Sequence, residues 1–219
     1  MNKKSLFIIL NICLLLSCQI VLADSQSDIN DLKNKDMHKR TAAIKRLGEG
    51  KDREGKRALM REFKREKSPY LKARLLEAYS VDADSTAAAE ITDVAKNDKD
   101  DRSRQQAMID LAQVKDKQAH QALIDIFLNQ NESIGNRAQA ADSLTFHGFY
   151  EDTFACFLQG LKDPNADIRL QSVVSIYLCF GGGQKDRVIP VLKTMLDDED
   201  QRVVDMANEK LELLGANKK

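Results

Sequence analysis

One ordered run of residue types recurs along this chain at hairpin-length intervals, and that recurrence constrains the fold more than any other feature. Asp36–Gly48 reads DMHKRTAAIKRLG, and the stretch from Asp100 reads DDRSRQQAMIDLA with the same types at the same offsets. With Arg40 as anchor, equivalents follow at Lys72, Arg104, Arg137 and Arg169, at intervals of 32, 32, 33 and 32 residues. Four residues before each anchor stands Asp36, Ser68, Asp100, Ser133 or Asn165. All are types whose side-chain oxygen can accept an unpaired backbone N–H at a helix start, and Pro69 suits a first helical turn. Three residues after the anchors come Ala43, Leu75, Ala107, Ala140 and Ser172; seven after come Leu47, Tyr79, Leu111, Leu144 and Ile176. These positions share one helical face, and the mostly small residues let a neighbouring helix approach closely. A sixth copy follows if Gly181–Gly183 lengthens one connection: Asp200 caps, Val204 takes the anchor place, and Ala207 and Leu211 follow. It lacks the Arg and carries Asn208 on its face, as suits a terminal repeat.

Between these helices lie others of the same period, marked by Leu59, Ile91, Leu123, Cys156 and Val188. Phe63, Ala95, Phe127, Gly160 and Leu192 stand one turn further on. Each unit is therefore a helical hairpin that cannot bury its apolar stripe alone, so hairpins must stack. The expected fold is all-α, a solenoid of about six antiparallel hairpins with no strand. Six units fill the chain after residue 23 and leave no room for a separate catalytic domain. The absence of Trp, three Pro and 5% aromatic residues fit this class.

The order D-x-x-x-R-x-x-A-A-x-x-L-G, seen nearly intact at Asp36–Gly48 with Ile44 in the second Ala place, resembles the second helix of a HEAT repeat. RVIPVLKTMLDD at Arg187–Asp198 resembles a first helix with its kinking Pro190. The resemblance covers residues 28–215. It implies a right-handed α-solenoid whose second helices line the concave surface. It also implies that the repeated Arg and the capping acid form a structural ladder between repeats, interrupted at Lys72 and Val204. Most members are binding scaffolds.

Residues 1–23 have a basic start at Lys3 and Lys4 and an apolar core from Leu6 to Leu16, the pattern of a secretory signal. The run is short for a membrane anchor, the alternative reading. Two cuts compete. One follows Ala23 in VLA; the other precedes Cys18, where LLSC resembles a bacterial lipobox and would make Cys18 a lipidation site. The expected organisation is a signal at 1–23, a linker at 24–27, repeats at 28–215 and a tail at 216–219. The protein is expected to be exported, periplasmic or secreted or lipid-anchored through Cys18, with no transmembrane span in the mature chain.

His38, His120 and His147 are far apart in sequence and lack metal-ligand spacing, so no metal and no cofactor are expected. No HE dipeptide supports a HEAT-like hydroxylase, and no aromatic platform supports nucleic-acid binding. GGGQ reads as a helix stop, not a phosphate loop. Without a visible nucleophile–base pairing the chain is read as non-enzymatic; a HEAT-like lyase-type enzyme is the remaining alternative. Cys156 takes a core position, and helical rise separates it from Cys179 by roughly 10 Å along the axes, favouring two free thiols over a bridge.

Residues 33–74 hold 16 Lys/Arg against 6 Asp/Glu, whereas residues 75–219 hold 16 against 25. Either the basic stretch is a set of solvated faces, or Lys45, Arg46, Arg53, Arg57, Arg61, Lys64, Arg65 and Arg74 form a dock for anionic lipid, polysaccharide or protein. Head-to-tail self-association is a further possibility. A second candidate is apolar. Positions one, five and nine after each anchor face away from the core, and they are Leu170, Val174 and Leu178 in the fifth repeat, with Ile109 and Phe146 matching in the third and fourth. An apolar strip there suits a partner helix or peptide; burial of the fifth helix on both sides is the alternative. The leading expectation is an exported scaffold that binds a protein partner on its concave face.

Overall fold

The computed structural model describes residues 25–114, 116–147 and 151–216. Residues 1–24, with the signal and Cys18, lie outside the described residues, as do 217–219 of the tail. The helices are α1 (25–31), α2 (Met37–Glu49), α3 (Arg53–Phe63), α4 (Pro69–Ser80), α5 (Ser85–Asn97) and α6 (Asp101–Leu111). They continue with α7 (Lys117–Leu128), α8 (Ile134–Thr145), α9 (Glu151–Gly160), α10 (Ala166–Phe180), α11 (Lys185–Thr194) and α12 (Gln201–Leu213). A 3-10 turn at Met195–Asp197 follows α11, which contains Pro190. Among the described residues there is no strand, and the helices pair in sequence as six hairpins. α1 corrects one boundary: residues 25–27, expected as linker, form its first turn. Asp28 explains it, because its carboxylate holds Arg46 on α2 and gives that turn something to dock on.

The hairpins divide into two compact units, one ending at Ala83 and one beginning at Asp84. The period runs through both, so sequence spacing predicts the hairpins without predicting this division. In the first unit α2 packs on α4, and α3 on both. In the second, α6, α8, α10 and α12 pack in series as one layer, while α5, α7 and α9 pack in series as the other.

Local chemistry sets each helix start. The side chains of Asp36, Ser68, Asp100, Ser133, Asn165 and Asp200 all accept N-terminal backbone N–H groups, as expected. Asp52, Asp84 and Asp116 do the same for α3, α5 and α7. Each such cap is worth about 1 kcal/mol. The small positions are closed: Ala43, Ala107, Ala140, Ser172 and Ala207 have no exposed surface. Opposite them Leu59, Ile91, Leu123, Cys156 and Val188 are buried, each large apolar side chain contributing about 1.5–3 kcal/mol.

The ladder between repeats exists, but its acid is not the cap. Arg40 reaches Glu66, Arg104 reaches Glu132, Arg137 reaches Asp163 and Arg169 reaches Asp198. Glu66, Asp163 and Asp198 stand two residues before the next cap, and Glu132 one before it. The cap carboxylate or hydroxyl is already committed to its own helix, so the guanidinium takes the next acid upstream. The same guanidinium also donates to a carbonyl at the end of the preceding helix or turn, at Leu32, Asp98, Phe127 or Asp163. Each rung acid in turn accepts the backbone N–H that opens the following turn, as at Ser68, Ser133, Asn165 and Asp200.

Candidate functional site

In the second unit the row α6–α8–α10–α12 presents its outward positions to solvent. Ile109, Phe146 and Leu178 are 44%, 71% and 60% exposed, and Leu170 and Val174 are half-buried. The alternative of an α10 covered on both faces fails at Leu178 and holds only in part for Leu170 and Val174. Leu213 on α12, 59% exposed, continues the series. Sequence reasoning passed over it, although it is the ninth residue after Val204. Beside these run glutamines at the second position after three of the anchors: Gln106, Gln139 and Gln171. Gln106 donates to Asp110, and Gln171 donates to Asp142 at 2.6 Å, tying α10 to α8. Apolar side chains flanked by amides can hold both the side chains and the main chain of an extended segment.

A second series, missed in the sequence, occupies one register on the first helices at Lys56, His120, Thr153 and Lys185. Its signal is the common period, hidden because the residue types differ. Lys56 Nζ donates to the carbonyls of Gly48, Ala78 and Val81 at 2.8, 2.9 and 2.8 Å, satisfying the ends of α2 and α4. Burial lowers its pKa, and Asp82 opposes the shift. Lys185 likewise donates to Leu214 O.

His120 and His147, distant in sequence, lie with ring centroids 5.2 Å apart. His147 Nε2 meets Leu111 O at 2.9 Å, which requires the protonated nitrogen there. Burial lowers the His147 pKa, the Leu111 carbonyl opposes this, His120 adds to it and Asp116 opposes it. His120 Nε2 is 3.2 Å from Thr153 Oγ1 and 3.3 Å from Asp152 Oδ1. A hydroxyl-activating relay needs hydroxyl and carboxylate on opposite ring nitrogens; here both meet the same one, and Thr153 is fully buried. The cluster fastens α7 to α9. Among the described residues no group of three or more His, Cys, Asp or Glu could hold a metal ion.

The eight basic candidates are all exposed, and different helices carry them. Lys45 and Arg74 line a groove of about 590 Å³ between α2 and α4, with Glu49, Glu77, Tyr70 and Val81. Each is already matched: Lys45 lies 3.8 Å from Glu49, Arg74 lies 2.7 Å from Glu77, and Arg46 is held by Asp28. Arg53, Arg57, Arg61, Lys64 and Arg65 belong instead to α3 and the turn that ends it. The residues of the candidate dock are thus carried by two helix layers, which charge counts along a chain do not distinguish.

Cys156 and Cys179 are free and buried. Burial pushes their thiols up to about 12 and about 11, with Asp152 and Asp125 adding to the effect at Cys156.

The stacked hairpins match known structures across most of the chain. YibA of Escherichia coli aligns with a TM-score of 0.56 at 17% identity, over 88% of this chain and 73% of that one. The CpcE–CpcF complex of phycocyanin lyase from Nostoc sp. PCC7120 aligns with a TM-score of 0.53 at 18% identity, over 87% and 77%. The fold is a HEAT/armadillo-like α-solenoid. No protein-family profile matches the sequence, and no curated protein is significantly similar to it. At these identities the likeness concerns the solenoid architecture alone. No described helix is long and apolar enough to cross a membrane.

Proposed function

We propose that the chain is a non-enzymatic scaffold of the cell envelope that holds a protein partner on the outward face of α6, α8, α10 and α12. The observation that carries this reading is the register of Ile109, Phe146, Leu178 and Leu213. Four successive helices expose a large apolar side chain at the fifth or ninth place after the anchor, where a solvated face would be polar. Burying them against a partner removes apolar surface from water at about 25 cal/mol per Å², while the rigid stack spares the ordering cost of a flexible site. The signal-like pattern of residues 1–23 supports export. The CpcE–CpcF structure is of a complex, in keeping with use of this fold as a binding surface. The complete burial of Thr153 beside His120 supports the non-enzymatic reading.

Site-specific photocrosslinking in the native envelope tests this. A crosslinker at position 146 or 178 should trap one defined partner, whereas one at the exposed Gln121 on α7 should not. Phe146→Asp and Leu178→Asp should abolish the adduct at the other position while leaving thermal unfolding unchanged. Equal trapping from all three positions, or adducts indifferent to these substitutions, removes the reading.

A further inference from the structure

We propose that the outward face of α3 is a docking surface for anionic phospholipid headgroups. Of the thirteen arginines in the chain, nine are ion-paired. The remaining four are Arg53, Arg57, Arg65 and Arg102, and three of those lie on α3 or the turn that closes it. Lys64, in the same turn, also has no carboxylate within ion-pair distance among the described residues. Arg102 apart, the guanidinium groups elsewhere are matched, whereas here three stand unmatched and exposed. Arg61, the fifth cation, is held at 2.8 Å by Glu54 on the same helix, with both side chains half-exposed. Such a pair exchanges readily for an external anion.

Geometry selects the occupant. Arg53, Arg57 and Lys64 are spaced by four and then seven residues and so share one face, a row about 16 Å long. Arg61 and Arg65 extend the charge around roughly a third of the helix circumference. There the face meets a cleft of about 160 Å³ against α1, lined by Asn30, Lys33, Arg61, Arg65 and Glu62. Glu62 is engaged with Arg40. The result is a broad cationic surface with one small recess, not a groove walled on both sides that would hold a single linear polymer. No large apolar side chain is exposed on α3, so the face lacks the dry core that a specific protein interface uses. A plane of headgroup phosphates needs neither, and guanidinium forks match phosphate oxygens two at a time. The inference is independent of the apolar row on α6–α12.

Flotation of the naturally processed protein with lipid vesicles provides the test. It should float with vesicles of phosphatidylcholine and phosphatidylglycerol in equal parts, sink with phosphatidylcholine alone, and lose association as salt rises. Arg53→Gln/Arg57→Gln/Lys64→Gln should weaken partition roughly hundredfold, since each basic residue contributes about fivefold near an anionic leaflet. Lys45→Gln/Arg74→Gln, also exposed but ion-paired in the other layer, should leave partition unchanged. Unaltered helical circular dichroism shows that both variants fold. Wild-type flotation by the triple variant, equal binding to uncharged vesicles, or tighter binding to a soluble acidic polysaccharide or acidic protein than to the mixed vesicles overturns the proposal.

Discussion

Arg137 on α8 donates to Asp163 in the turn before α10, and the two side chains are only 3% and 6% exposed. Around this pair Arg137 Nε also reaches Phe127 O, and Asp163 accepts from the backbone of Asn165. A buried ion pair stabilises little relative to apolar residues of the same shape, but one abandoned partner is costly. Asp163→Ala should therefore lower the stability of the second unit by about 3–5 kcal/mol. Arg137→Met added to it should recover part of that loss. Urea unfolding followed by circular dichroism measures both, and an additive double variant refutes the pairing.

Acid should unfold the second unit in two windows. Burial holds His147 below the ordinary imidazole value, so the folded state resists a proton that the unfolded chain accepts. Its contribution is intact above about pH 6.5 and is lost as pH falls below that value. The Arg169 guanidinium, joined by the Asp200 N–H, holds Asp198 below the usual carboxylate range despite burial. That contribution is intact above about pH 3.9 and disappears as pH drops through the folded value. His147→Gln should flatten only the first window, and Asp198→Asn only the second, in unfolding free energy measured against pH.

Gly160→Ala should destabilise the contact among α7, α9 and α10. A methyl group there would sit 2.5 Å from Phe127 Cζ and collide with Ser172 Oγ. The Phe127 ring is itself fixed edge-on to Phe157 at 5.7 Å and cannot retreat freely. A loss of about 1–3 kcal/mol is expected for such overpacking. Combining the substitution with Ser172→Ala should relieve part of the clash, and a lowered melting temperature with partial rescue verifies it.

Cys156 and Cys179 should resist alkylation in the native protein. With thiol pKa values of about 12 and about 11, almost no thiolate is present at neutral pH, and both sulfurs are buried. Peptide mapping after iodoacetamide treatment should find both unmodified in buffer and both modified in urea. Rapid native labelling of either would contradict the packing of α9 or α10.

The sequence disclosed what depends on one helix and its immediate neighbour. Caps at Asp36, Ser68, Asp100, Ser133, Asn165 and Asp200, the small residues from Ala43 to Ala207, and the outward places of Phe146 and Leu178 all follow from helical spacing. Relations between repeats were harder to see. The ladder acid was misplaced because capping and pairing compete for similar residues, and only the fold shows that Asp36 caps its own helix while Glu66 receives Arg40. The Lys56–His120–Lys185 register escaped because its members join neighbouring elements through different chemistry, the lysines by helix-end carbonyls and His120 by Thr153 and Asp152. Splitting of the basic residues between layers escaped because linear charge density does not distinguish the faces of a hairpin.

The rungs joining Arg104 to Glu132 and Arg137 to Asp163 have interchangeable ends. A deletion of one whole period would offer Arg104 the carboxylate of Asp163 in place of the one removed, with the cap of α10 following in the correct register. Loss of the complete hairpin between these two rungs therefore preserves the joint, whereas a slip of a few residues breaks it. A gene of this design can change the length of its product in whole steps without relearning how the pieces fit.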